Sequence, residues 1–81
     1  MWWVYVLRSR TNDRLYTGST NDLPRRIGEH DRGKGAYTRH AGPFELIHTE
    51  EYPTRLEARR RERFLKSGQG REELKRTLPG H

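Results

Sequence analysis

Apolar and polar positions along this chain fall into short periodic blocks divided by turn-forming residues. The first block, Trp2-Trp3-Val4-Tyr5-Val6-Leu7, is a continuous run of aromatic and β-branched types and predicts a strand over residues 2–8. Thr11-Asn12-Asp13 is turn chemistry, since Asn and Asp tolerate left-handed backbone and bond their own main chain. Arg14 to Ser19 then returns as a second strand, making a hairpin. Gly18 lets the backbone turn or lets another group approach closely. Alternation puts Trp3, Tyr5 and Leu7 on one face of the first strand.

Helical periodicity follows. Asn21 or Asp22 caps a helix whose first turn holds Leu23 and Pro24, where a missing N–H costs little. It runs to about Arg32, with Leu23 and Ile27 as its apolar stripe, and interior Gly28 weakens it by up to about 1 kcal/mol. Gly33-Lys34-Gly35 ends it and opens a basic loop through Gly42-Pro43. Phe44 to Tyr52 predicts a third strand, with Phe44, Leu46 and His48 on one face and Glu45, Ile47 and Thr49 on the other. Thr54-Arg55-Leu56-Glu57 matches a capping box. The second helix, with Ala58, Phe64 and Leu65 as its apolar arc, runs to about Ser67, where Gly68 and Gly70 break it. Arg71 to Leu78 forms a short third helix, with Leu74 and Leu78 four apart. The expected fold is a small α/β (α+β) domain: a three-stranded, largely antiparallel sheet flanked by helices.

Composition narrows this. Eighty-one residues suit one domain, which buries only about 60% of its unfolded surface. With 30% hydrophobic and 35% charged residues, nearly every Trp, Tyr, Phe, Leu, Ile and Val is expected in the core. There are no cysteines, so disulfides and thiolate zinc sites are excluded and a reducing compartment fits. The longest apolar run falls far below the roughly 20 residues that span a bilayer. It has no basic segment ahead of it and no small-residue cleavage site after it, unlike a signal peptide. A cytoplasmic protein without membrane contact is expected. Seventeen Lys and Arg against eleven Asp and Glu give a formal charge of +6. Such an arginine-rich surface suits phosphate oxygens, and nucleic acid is the expected partner.

Few residues look like chemistry. Tyr5 and Tyr16 lie on hairpin partners, from which both can project on one face; a tyrosine there is ordinarily core, with its hydroxyl bonded somewhere. Arg26 and His30, four apart, share a helical face beside the Leu23–Ile27 stripe, and only one of Arg25 and Arg26 can face the sheet. His30 near a tyrosine and an arginine is a candidate proton acceptor. Glu62 sits on the border of its helix's apolar arc, amid Arg59, Arg60, Arg61 and Arg63. It reads either as a salt-bridged surface residue or as a single metal ligand, since Mg²⁺ keeps most of its waters and takes one or two carboxylates. Lys34, Tyr37 and Arg39 in the basic loop suit backbone contact with stacking on the ring. Arg59 and Lys66, with Arg55, Arg60 and Arg63, suit a phosphate track.

Trp3-Val4-Tyr5 and Tyr16-Thr17-Gly18 resemble the two halves of the signature of the GIY-YIG nuclease superfamily. Asn21-Asp22-Leu23, Arg26, His30 and the stretch Leu56-Glu57-Ala58…Glu62…Leu65-Lys66 fall at that family's spacings. The similarity runs from Trp3 to about Lys66 and is greatest to the stand-alone bacterial YhbQ-like (UPF0213) group. It implies one nuclease domain over residues 1–81 with a single divalent-cation site, Mg²⁺ or Mn²⁺. Tyr5, Tyr16, Arg26, His30 and Glu62 map onto the family's functional positions. Trp3 departs from the first glycine of the signature and Thr17 from its central isoleucine. Ser19 stands where some members have a lysine, removing a cation that would lower a tyrosine pKa.

The expected activity is metal-dependent endonucleolytic hydrolysis of nucleic acid, with DNA favoured over RNA. Glu62 holds the metal; Tyr16, or second to it Tyr5, deprotonates water; His30 accepts the proton onward; and Arg26 stabilises charge on phosphorus. The alternative is a basic nucleic-acid-binding module with little or no intrinsic cleavage. A third reading, a structural protein bound to ribosome or RNA, predicts no effect of replacing Glu62. No base-reading motif stands out, so selectivity for structure or backbone is expected.

Overall fold

The hairpin forms because its turn satisfies itself. Asp13 adopts φ 62°, the left-handed conformation that Asp tolerates. The Asn12 side-chain oxygen accepts the Arg14 N–H at 2.9 Å, and Ser9 Oγ accepts those of Thr11 and Asn12 at 3.1 and 3.2 Å. In this computed structural model, which describes residues 1–31 and 43–78, the turn joins β1 (Trp2–Ser9) to β2 (Leu15–Thr20). After α1 (Leu23–Asp31) comes β3 (Phe44–Tyr52), which pairs antiparallel with the other edge of β1, giving sheet order β2-β1-β3. The sequence pattern predicts this three-stranded antiparallel sheet. Because β1 is central and covered on both faces, all of Val4, Tyr5, Val6 and Leu7 are buried, which explains its unbroken apolar run.

Val4 and Val6 face α2 (Arg55–Lys66) and α3 (Gly68–Thr77), packing with Ala58, Leu65, Leu74 and Leu78; Trp2, Leu15, Ile47 and Tyr52 close the margins. Each fully buried Val or Leu contributes about 1.5–3 kcal/mol. Tyr5 and Leu7 point to the opposite face, where α1 presents His30 edge-on to the rings of Tyr5 and Phe44.

The expected caps form. Asp22, rather than Asn21, caps α1 by accepting the Arg25 N–H at 3.2 Å. Thr54 caps α2 by accepting the Glu57 N–H at 3.3 Å, and its hydroxyl donates to the Glu57 carboxylate at 3.2 Å, so half of the capping box forms.

Three expectations are corrected. In β3 the alternation fails: a bulge moves the partner of β1 from His48 at Val6 to Leu46 at Leu7, so Leu46 and His48 lie on opposite faces and Ile47 turns to the core. The glycines after α2 do not break it. Ser67 alone ends α2 and caps α3, its Oγ accepting the Gly70 N–H at 3.2 Å. Gly70 lies inside α3, where a Cβ would run into the Phe64 carbonyl and the Leu65 backbone; its bareness lets the two helices cross closely. Nor are the apolar residues nearly all core. Leu56 and Leu46 are exposed and Phe64 is 36% exposed, with the Arg61 guanidinium 5.3 Å from its ring centre. A three-stranded sheet is too narrow to cover the whole apolar arc of α2. Among the described residues, no helix is long and apolar enough to cross a membrane.

Candidate active site

Gly18 stands opposite Tyr5 in the β1–β2 ladder. A Cβ on Gly18 would collide with the Tyr5 hydroxyl and ring, so the bare backbone lets the Tyr5 side chain cross the edge strand. Tyr5 is only 2% exposed, yet its hydroxyl ends in a polar cluster. Arg26 Nε donates to it at 3.3 Å, and the oxygen lies 2.9 Å from His30 Nε2. When that nitrogen is unprotonated, the Tyr5 O–H donates to it. Burial pushes the Tyr5 pKa above that of an ordinary phenol, and the hydrogen bond and charge of Arg26 oppose the rise without cancelling it. The same bond, with help from Glu29, raises the Arg26 pKa and keeps the guanidinium charged. Glu29 accepts Arg26 Nη1 at 3.2 Å and fixes its angle. Of the two adjacent arginines, Arg26 thus turns inward while Arg25 stays exposed, paired with Asp22 and Glu29.

Glu62 approaches the same edge strand from α2. Ser19 Oγ donates to its Oε1 at 2.5 Å, and Lys66 Nζ donates to its Oε2 at 2.8 Å. The carboxylate is 17% exposed. Burial pushes its pKa up, but the hydrogen bonds from Lys66 and Ser19 and the charges of Lys66 and Arg59 outweigh burial and hold it below the usual carboxylate range. It is therefore ionised at neutral pH. Among the described residues, no three His, Cys, Asp or Glu side chains gather as a metal cluster. The donor set fits a hard cation that rests on Glu62 alone and keeps its waters.

Tyr5, Tyr16, Arg26, His30 and Glu62 all line one groove of about 1090 Å³, open to solvent along the β2 edge. Tyr16 is half-buried, with its ring set edge-on to Phe44 at 5.5 Å between centres. Arg59 and Lys66 line the groove as well; Lys34, Tyr37 and Arg39 lie outside the described residues.

Reading the sequence alone misses several residues that share this site. Ser19, which looks like a lost cation, is a hydrogen-bond donor to Glu62. Glu29 orients Arg26, and its signal is the spacing of three residues along α1. Arg14, Arg71 and Lys75 also line the groove. The spacing of four between Arg71 and Lys75 is visible in the sequence, but placing the helix start at Arg71 hides their relation to α2.

Comparison with known proteins supports the fold. A family model described as the GIY-YIG catalytic domain matches residues 1–75. A UPF0213 protein of Natronomonas pharaonis is 48% identical over 66 residues, covering 80% of this chain and 76% of that one. A UPF0213 protein of Oceanobacillus iheyensis is 43% identical over 74 residues, covering 90% and 85%. The solution NMR structure of the UPF0213 protein BH0048 from Bacillus halodurans superposes with a TM-score of 0.60 at 42% identity, covering 99% of this chain and 88% of that one.

Proposed function

The chain belongs to the GIY-YIG catalytic-domain family, which supports a nuclease-type function, and on that premise we propose a metal-dependent endonuclease that hydrolyses phosphodiester bonds in DNA. The observation that carries this reading is the convergence on one open groove of an ionised carboxylate, an arginine and a hydrogen-bonded Tyr5–His30 pair.

Glu62 would hold a divalent cation, which when bound would supply Lewis-acid chemistry to the phosphodiester. The remaining work falls to side chains. Arg26 gives Nε to Tyr5 and Nη1 to Glu29. Its Nη2 has no partner among the described residues and is the edge that meets charge developing on phosphorus. Tyr16, half-buried in the groove, is the phenol placed to take a proton from water. Tyr5, buried and raised in pKa, stays protonated and links Arg26 to His30, accepting from Arg26 Nε and meeting His30 Nε2.

The test is cleavage of labelled single-stranded, duplex and branched DNA, beside RNA, with Mg²⁺, Mn²⁺ or EDTA. Loss of activity in EDTA, in Glu62→Gln and in Arg26→Ala, each still folded, is expected. A fully active Glu62→Gln or Arg26→Ala protein would sink the assignment. One observation favours a binding module instead: both oxygens of Glu62 already hold protein donors. That reading predicts metal-independent binding and no cleavage under any condition.

A further inference from the structure

Glu62 is bonded by two donors of different kinds. Ser19 reaches it from β2 with a neutral hydroxyl, which a neighbouring cation tolerates. Lys66 reaches it from the next turn of the same helix with an ammonium, which a second cation on the same oxygen repels. Lys66 is 53% exposed and sits on a four-carbon stem, so its bond is the one that solvent screens and rotation breaks. Around it cations outnumber anions: Arg14, Arg59 and Arg71 also line the groove against Asp13 and Glu62, and among the described residues none of the three arginines forms an ion pair, although the charge of Arg59 reaches Glu62.

We propose that Lys66 is an internal counter-ion of Glu62, displaced when a divalent cation takes the carboxylate and thereby freed to bind a substrate phosphate. The inference rests on the metal role of Glu62 given above. Without metal, Lys66 keeps the ionised carboxylate compensated and facing the groove. With metal, the surplus positive charge of the groove increases at the moment a polyanion is needed, so cation and substrate binding reinforce one another.

The chain's lysines are Lys34, Lys66 and Lys75, so the side chains can be followed individually. The test uses the full chain with its amines converted to ¹³C-dimethylamines, which keep their charge, observed by NMR during a Mg²⁺ titration. Mn²⁺ broadening of the Ser19 and Glu62 amides reports cation binding separately. Lys75, which lines the same groove but pairs with Glu72 at 3.8 Å rather than with Glu62, is the internal comparison for a general field effect. The Lys66 signal is expected to start displaced from that of the Glu62→Gln variant and to move onto it with the same midpoint as the amide changes. Lys66→Met is expected to bind Mg²⁺ about two- to fivefold more tightly, the worth of a surface ion pair. A Lys66 signal that stays fixed while the Ser19 and Glu62 amides respond overturns the counter-ion role and leaves the nuclease reading intact. Amides that respond to neither cation overturn both.

Discussion

The two sides of α2 handle charge in opposite ways. On one side Arg61 donates to both oxygens of Glu50, at 2.9 and 3.2 Å, and to Glu73 at 2.9 Å. Glu50 also meets His48 Nε2 at 2.8 Å and accepts the Tyr52 hydroxyl at 2.6 Å. That clamp ties β3, α2 and α3 together, with Arg61 bonded to both carboxylates. On the other side Glu62 lines the groove bonded to the half-exposed Lys66, and Arg59 forms no ion pair among the described residues. Arg61 and Glu62 are adjacent, and one step of about 100° around the helix separates scaffold from chemistry. An arginine run is thus not one feature, because each member takes its role from the side it faces.

If the division holds, substitutions on the two sides have separable consequences. The largest effect is expected from Glu62→Gln, which removes the carboxylate charge but keeps a similar shape. Metal-dependent cleavage should fall about a thousandfold or more, the several kcal/mol a Lewis acid supplies. The melting temperature should hardly move. A large loss of stability would mean that Glu62 belongs with the clamp and that the comparison is wrong.

Arg61→Ala should do the reverse. It strands Glu50 and Glu73, both partly shielded from water. Breaking such a pair is expected to cost about 2 kcal/mol, below the range for fully buried pairs. For a domain of this size that lowers the melting temperature by about 10 °C. Metal-free DNA binding should be unchanged at temperatures where the variant is folded, and weakened binding there would blur the division.

The clamp also carries a pH signature. Burial raises the Glu50 pKa, but bonds from Arg61, His48 and Tyr52 overcome it and hold the carboxyl at about 2. A carboxyl depressed in the folded state gives stability that is present above its ordinary value of 4.5 and lost as pH falls from there toward 2. Tyr52 is the mirror case, pushed up to about 12 by burial and by Glu50, so its contribution persists below pH 10 and fades as pH rises toward 12. Urea midpoints measured from pH 5 to 2 should fall more steeply for the wild type than for Glu50→Gln. Parallel curves would show that Arg61 does not depend on the Glu50 charge.

Much of this was legible in the order of residues. The N-cap at Thr54, the hairpin turn at Asp13 and the three-stranded antiparallel sheet follow from local chemistry, and each is present. That Arg26 and His30 share a face follows from helix spacing; that Tyr5 meets both, past the bare Gly18, is shown by the fold. What stayed hidden depends on contacts distant in sequence. Ser19 meets Glu62 across 43 positions, and Arg61 meets Glu50 only because α2 lies over β3. The bulge that turns Ile47 inward changes a two-residue period by one, and no residue type announces it. Gly70 looked like a breaker because its helix-packing role appears only when the Leu65 backbone lies against it.

The smallest expected effect tests whether the groove, rather than net charge, binds the polyanion. Arg59 and Arg71 line the groove from two different helices, whereas Arg55 lies with its guanidinium 5.7 Å from the Trp2 ring centre, away from it. All three are arginines on exposed helix positions, so each Ala variant removes the same formal charge. A groove contact releases about one counterion from duplex DNA, which lowers the slope of log affinity against log salt by about 0.9. In EDTA, where cleavage cannot interfere, Arg59→Ala and Arg71→Ala should each flatten that slope by about this amount. Arg55→Ala should leave the slope nearly unchanged, and any stability lost with its ring contact should stay below about 1 kcal/mol. The double variant of Arg59 and Arg71 should flatten the slope additively, because the two act on separate phosphates. Equal slopes for all three single variants would mean that DNA is held by the diffuse charge of the whole domain, and the open side of α2 would then lose its claim to be a built surface.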